Sequence, residues 1–236
     1  MIKARLISLI VAGVSLFGCA DSTTTVAPTT STPSTSTTTS TTTSTTTTST
    51  TSTTTTIPVP TYVFPFAMRK VSYGTDHHDY PAVDVFGCKA LIIAPTSGTI
   101  AQVNTVDKWR GSGNNPAYRG GHFVSMIGND GVRYYFAHLA AVDVVAGQVV
   151  TTGTPLGVMG QTGNAANSAC HTHFGISWPC PDKEWQVRRG KIWPQKYLDA
   201  WRNGEQLSPV DEIAQAQAAE PDACAIAMAD PDAPLA

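Results

Sequence analysis

His122-Phe123-Val124-Ser125-Met126-Ile127-Gly128-Asn129-Asp130-Gly131-Val132-Arg133-Tyr134-Tyr135-Phe136-Ala137-His138 decides how the fold is read. Its two halves are rich in β-branched and aromatic residues, and Gly128-Asn129-Asp130-Gly131 separates them. The pattern predicts an antiparallel hairpin, because residues that fit a pleated surface flank residues that tolerate a tight reversal. The same pattern recurs on both sides. Ala90-Leu91-Ile92-Ile93-Ala94 is an apolar run closed by Pro95, and Gly98 to Val103 is another strand candidate. Val149-Val150, Leu156 to Met159 and Thr172 to Trp178 are further short candidates set among glycines. Helical patterning is convincing at Pro194 to Arg202, where a proline opens the segment and Gly204 follows it. Many short strands with Gly/Pro punctuation predict a mainly β domain, an antiparallel sheet or open barrel-like structure with a short C-terminal helix.

The chain has 236 residues, room for one or two domains. With 14% charged and 8% aromatic residues, it is not composed like a coiled coil or a nucleic-acid arm. The formal net charge is −2, and the six acidic residues of 208–236 have no basic companions. Neither block is extreme enough to imply a polyanion, so no nucleic-acid partner is expected, and a monomer is. The folded domain is placed at residues 58–207, enough for a real core. Residues 208–236 form an acidic, Ala-rich tail. There Asp211 to Glu220 is a helix candidate, and the rest is expected to be loose unless Cys224 pins it.

Residues 1–18 read as a secretory signal. Lys3 and Arg5 precede an apolar stretch, Leu6 to Phe17. That stretch is too short for a bilayer core of ~30 Å. Leu16-Phe17-Gly18-Cys19 resembles the bacterial lipobox, which predicts a lipidated Cys19 held at the membrane by its acyl chains. An ordinary signal in which Cys19 is incidental is the alternative. Residues 19–57 complete the anchor with a linker that is almost wholly Thr and Ser from residue 22 onward. Nothing apolar there offsets the entropy of ordering. The expected location is therefore the outer face of the membrane, within the cell envelope. Four further cysteines in an exported chain predict disulfides: Cys88, Cys170, Cys180 and Cys224. The pairing Cys170–Cys180 with Cys88–Cys224 is favoured among three. A thiolate zinc site is the alternative, but no C-x₂-C pair is present.

The six histidines all fall between residues 77 and 173. In His171-Thr172-His173 the two imidazoles project from one face of a strand. His78 and Asp84, separated by Asp79-Tyr80-Pro81-Ala82-Val83, have equal parity in an extended chain, whereas His77 has the wrong parity and ranks second. Tyr134-Tyr135-Phe136-Ala137-His138 ends an aromatic strand in a histidine, which by itself reads as a buried core residue. His122 reads as structural. Tyr80 and Tyr118 read as packing or surface residues that could also line a groove. The Gly/Asn-rich stretch 107–121 is expected to form a groove wall, and Trp178, Trp185 and Trp193 are expected in the core.

Taken in order, these elements resemble the lysostaphin-type, LytM-like zinc peptidases of the M23 family, which cleave peptide bonds of peptidoglycan. Ala94-Pro95-Thr96-Ser97-Gly98-Thr99-Ile100 is similar to that family's A-P-x-x-G-x-V segment. Val145 to Val150, Gly153-Thr154-Pro155-Leu156-Gly157 and the turn Gly160-Gln161-Thr162-Gly163 continue the likeness. The resemblance implies one zinc ion per domain, with His78, Asp84 and His173 as ligands and His138 and His171 as non-ligand catalytic histidines. The family commonly spaces its first His and Asp four apart; here the interval is six, and His77 or Asp79 are alternatives to His78. The resemblance also implies a peptidoglycan endopeptidase with His171 as general base. His138 would orient the water or hydrogen-bond the oxyanion, and the two roles are exchangeable. Zinc held by three protein groups keeps a fourth position and lowers the pKa of a water to about 7. The helical zincin motif H-E-x-x-H is absent. A catalytically silent relative that binds the wall or activates an amidase is the alternative. A non-enzymatic carrier or adhesion module would leave the histidines unexplained. Glycyl–glycine and D-alanyl–diaminopimelate bonds both remain open as targets.

Overall fold

The computed structural model describes residues 61–111, 115–181 and 184–230. The signal, Cys19 and the linker lie outside the described residues. Among those residues no helix is long and apolar enough to cross a membrane.

The described strands run in the order β1 Phe66–Ala67, β2 Ser72–Tyr73, β3 Val83–Phe86, β4 Leu91–Ile93, β5 Gly98–Asn104, β6 Phe123–Gly128, β7 Arg133–Ala137, β8 Leu139–Val142, β9 Val149–Val150, β10 Pro155–Met159 and β11 His171–Ser177. They form a seven-stranded sheet, β2-β3-β11-β7-β6-β5-β9, and a four-stranded sheet, β1-β4-β10-β8. The pairings are antiparallel, and each sheet keeps two free edges, so neither closes into a barrel. The hairpin expected at 122–138 is β6–β7, with Val124 opposite Phe136 and Met126 opposite Tyr134.

The core lies where the two sheets meet. Phe66 of the small sheet meets Phe136 and Phe174 of the large one edge-on, at centroid distances of 6.4 and 6.1 Å. Each such buried aromatic contributes about 1.5–3 kcal/mol through removal from water. Helix α1, Gln195–Arg202, buries Tyr197, Leu198 and Trp201, and the Trp201 ring stacks on Tyr62 at 5.4 Å. Trp178 and Trp185 are buried as expected, but Trp193 is 41% exposed. It directly precedes the proline that starts α1, where the chain turns at the surface.

The tail holds two more helices, α2 Val210–Ala219 and α3 Ala223–Ala229. The first was expected. The second forms where the chain was expected to be loose unless Cys224 pins it; Cys224 is bonded to Cys180, and Ala227 is buried. The other disulfide is Cys88–Cys170. The favoured pairing of Cys170 with Cys180 is therefore corrected, and its physical reason is plain. The extended strand β11 separates those two cysteines, and its seven residues span roughly 23 Å, far beyond the ~7 Å Cα separation that a disulfide bridges. Antiparallel register instead sets His171 opposite Phe86, which brings Cys170 beside Cys88.

Candidate functional site

Strand β11 lies between β3 and β7 and is buried along its whole length. Its alternation puts Phe174 and Ile176 into the core, while His171 and His173 share the opposite face. The register sets Asp84 of β3 directly beside His173, and Asp84 Oδ1 lies 3.2 Å from His173 Nδ1. His138 stands at the corner where the chain leaves β7 for β8 and changes sheets. It adopts a left-handed backbone, φ 65°, a conformation that costs a residue with a side chain and recurs where function requires a particular aim. Its ring sits 4.9 Å from that of His171.

The fourth histidine is His77, not the expected His78. Donor atoms of His77, Asp84 and His173 all lie within 4.8 Å of one another. His78 is exposed at the rim of the same cleft. Parity fails here because residues 74–82 form a bent segment rather than a strand. His77 is tucked in by its own loop, with its ring 4.5 Å from Tyr80 and 5.0 Å from His173. His122 lies outside the cleft and serves the fold through its backbone N–H, which donates to Thr162 Oγ1 at 2.9 Å.

Hydrogen bonds to carbonyl oxygens fix the tautomers, because a carbonyl can only accept. His138 Nδ1–H donates to Thr162 O at 2.9 Å, and His171 Nδ1–H donates to Ala169 O at 2.7 Å. Both imidazoles therefore leave Nε2 for the cleft. His173 is held the other way round, with Nε2–H donating to Arg189 O at 2.8 Å. In its neutral form its Nδ1 lone pair then faces the carboxylate of Asp84. Two acceptors 3.2 Å apart repel unless a proton or a cation lies between them. His77 Nδ1 is also buried without a hydrogen-bond partner. Two imidazoles and a carboxylate of this kind fit a divalent ion such as zinc, and the bond from His173 to Arg189 O is of the type that would orient a ligating ring.

The electrostatics are those of a crowded polar cluster. Burial alone would push the Asp84 carboxyl up, but the combined pull of His173, His171 and His77 prevails and holds it at about 2. Burial pushes His138 down to about 3, helped by the neighbouring His173 and His171, so it stays neutral at physiological pH. His77 is lowered for the same reason, burial first and then His173.

The histidines open onto a cleft of about 460 Å³. One wall is Pro116, Ala117, Arg119 and Gly120, part of the loop expected to form a groove wall. This loop is clamped to the turn before β11. Gly121 and Gly163 adopt positive φ values of 57° and 67°, and a Cβ on Gly163 would lie 2.0 Å from Arg119 O. Gly163 N–H donates to Asp107 Oδ2 at 2.8 Å and Asn164 N–H to Arg119 O at 2.9 Å. Gly163→Ala should lower stability by at least about 2 kcal/mol, since strained backbone and a clash with main chain combine. Urea unfolding of the purified variant measures this, and an unchanged midpoint would refute the clamp. The residues that sequence reading missed are Arg119, Arg188 and Arg189, which also line the cleft. The pair Arg188-Arg189 was visible in the sequence, but no spacing rule ties it to the histidines.

A cluster of imidazoles and one carboxylate, opening on a cleft in a two-sheet β domain, defines a candidate metal-dependent hydrolase site. Residues 80–187 match the model of peptidase family M23. Asp84, His138, His171 and His173 fall inside that match, and His77 just before it. No curated protein sequence matches the chain. Among solved structures, the catalytic domain of the antimicrobial peptidase lysostaphin from Staphylococcus simulans is 25% identical, with 55% of this chain and 92% of that one covered and a TM-score of 0.41. A Pseudomonas aeruginosa protein provisionally assigned to peptidase M23 is 21% identical, with 59% and 51% covered and a TM-score of 0.44. A zinc-containing peptidase from Vibrio cholerae is 16% identical, with 55% and 38% covered and a TM-score of 0.38. The chain thus spans about half the length of the Pseudomonas protein.

Proposed function

We propose that the chain is a zinc-dependent endopeptidase that hydrolyses peptide bonds of bacterial peptidoglycan, exported and held at the envelope membrane through a lipidated Cys19. The observation that carries the reading is the convergence of donor atoms from His77, Asp84 and His173 within 4.8 Å, beside two further imidazoles whose Nδ1 atoms are bound to carbonyl oxygens, with His171 Nε2 3.8 Å from Asp84 Oδ2. His77, Asp84 and His173 would hold the metal. When bound, zinc supplies Lewis acidity that polarises a carbonyl and acidifies a water. His171 then takes the proton at Nε2, with its ring steadied by Ala169 O, and returns it to the leaving amine. His138 is neutral, so its Nε2 accepts a hydrogen bond and orients the water. It is a poor donor to an oxyanion. Tyr80 keeps its proton, because burial pushes its hydroxyl well above the ordinary tyrosine value, and it stands ready as a donor.

Purified peptidoglycan incubated with the full chain should release new amino and carboxyl termini, detected by mass analysis of the fragments. Chelator should abolish the release and added zinc restore it. Release that is indifferent to chelator would overturn the reading.

A further inference from the structure

We infer that the arginine wall of the cleft, Arg119, Arg188 and Arg189, binds a free carboxylate of the substrate, so that the preferred substrate is an acidic peptide rather than a neutral one. The inference rests on the proposed hydrolase reading for its setting, but not for its test.

Charge balance carries the argument. The cleft lining holds three arginines and two carboxylates, Asp79 and Asp84. Asp84 is committed to the histidines, and Asp79 is exposed at the rim. Among the described residues none of the three guanidinium groups has a carboxylate within ion-pair distance. A cation that is partly or wholly buried is ordinarily matched by an anion. Arg188 is 6% exposed, and its Nε finds no hydrogen-bond partner; nor does the buried Nη1 of Arg189. The protein thus leaves donors of this wall unspent.

Those groups are also aimed and held. Arg188 donates from Nη1 to Gln102 Oε1 at 2.6 Å and lies over the Phe123 ring at 4.3 Å. Arg189 lies over Tyr80 at 3.7 Å, and Tyr80 is 5.7 Å from the His173 ring. Arg119 reaches in from the opposite loop, over Trp109 at 5.9 Å. A planar fork braced on an aromatic face loses little freedom when it grips a carboxylate with two parallel bonds. Arg189 therefore sits one ring away from the reacting centre, where it would fix a carboxylate next to the scissile bond.

The test compares Gly-Gly-Glu-Gly-Gly amide, with L- or D-Glu, against its Gln counterpart, pentaglycine amide and pentaglycine free acid. Binding to the full chain is measured by calorimetry, with and without zinc, alongside hydrolysis. The Glu peptide of the preferred hand should bind at least about tenfold more tightly than the Gln peptide, since charged hydrogen bonds are the strong ones. The ratio should shrink with added salt, and Arg189→Gln or Arg119→Gln should bring it close to one. If free-acid pentaglycine is favoured instead, the wall still reads a carboxylate, and that carboxylate is the chain end. Equal binding of all four peptides, or no binding of any, overturns the inference. Equal binding with hydrolysis leaves the hydrolase reading standing. Preferential binding of the acidic peptide with no hydrolysis of any substrate, wall included, supports the arginine wall and overturns the hydrolase reading.

Discussion

His173→Ala should empty the metal site of the purified chain and reduce peptidoglycan hydrolysis by about a thousandfold or more, the scale expected when several kcal/mol of transition-state stabilisation are removed. Metal content by elemental mass spectrometry should fall from about one zinc per chain to background. The ring is the best-supported member of the cluster. Its Nε2–H is fixed by Arg189 O, and its Nδ1 is set against Asp84 by strand register rather than by a mobile loop. Alanine at this position keeps strand β11 in place, because the apolar face carrying Phe174 and Ile176 is untouched. Three companion variants sharpen the assignment. His77→Ala should lose zinc like His173→Ala, whereas His78→Ala should retain it, since His78 is exposed at the rim. His138→Ala should retain zinc yet lose activity, because its ring touches the cluster without joining it. Zinc retained at one per chain by His173→Ala, or lost by His78→Ala, would refute the ligand set.

The contrast between His77 and His173 shows what the sequence could and could not reveal. His173 was legible because it lies in a strand, where alternate residues share a face and register places neighbours. Asp84 was legible for the same reason, being in β3. His77 ranked only second, because counting parity across Pro81 treats a bent loop as an extended chain. The disulfides teach a related lesson. The segment Thr172 to Trp178 already read as a strand, and a strand between Cys170 and Cys180 excludes their pairing by length alone. Helix α3 depends on Cys180–Cys224, a contact between residues 44 apart in the chain, and no local pattern announces it. The arginine wall is hidden for a different reason. Arg119 and Arg188 belong to segments that meet only after folding, and two adjacent arginines in a sequence ordinarily signify a solvated surface.

Glu184→Ala is expected to cost about 3–5 kcal/mol of stability, the range seen when one member of a buried ion pair is removed and the other stays buried. Glu184 and Arg133 face each other at 3.5 Å with side chains 0% and 3% exposed. The carboxylate also accepts the backbone N–H groups of Val187 and Arg188, the latter at 3.2 Å, and so holds the turn that follows. Arg133 in turn donates to Cys180 O at 2.9 Å, beside the disulfide that secures α3. Loss of the carboxylate would take a close counter-charge from a guanidinium in a water-poor interior, and would free two backbone donors as well. The same turn presents Arg189 O to His173, so the variant should bind zinc more weakly in addition to melting earlier. Urea unfolding monitored by tryptophan fluorescence measures the first effect and competitive zinc titration the second. Arg133→Met combined with Glu184→Leu separates charge from architecture. Removing both charges abolishes the desolvation penalty, so the double variant should recover much of the stability lost by Glu184→Ala. It cannot restore the acceptor for the Val187 and Arg188 N–H groups, so its zinc affinity should remain low. If Glu184→Ala unfolds at the wild-type urea midpoint, the ion pair is not what holds this turn, and the support proposed for His173 must come from elsewhere.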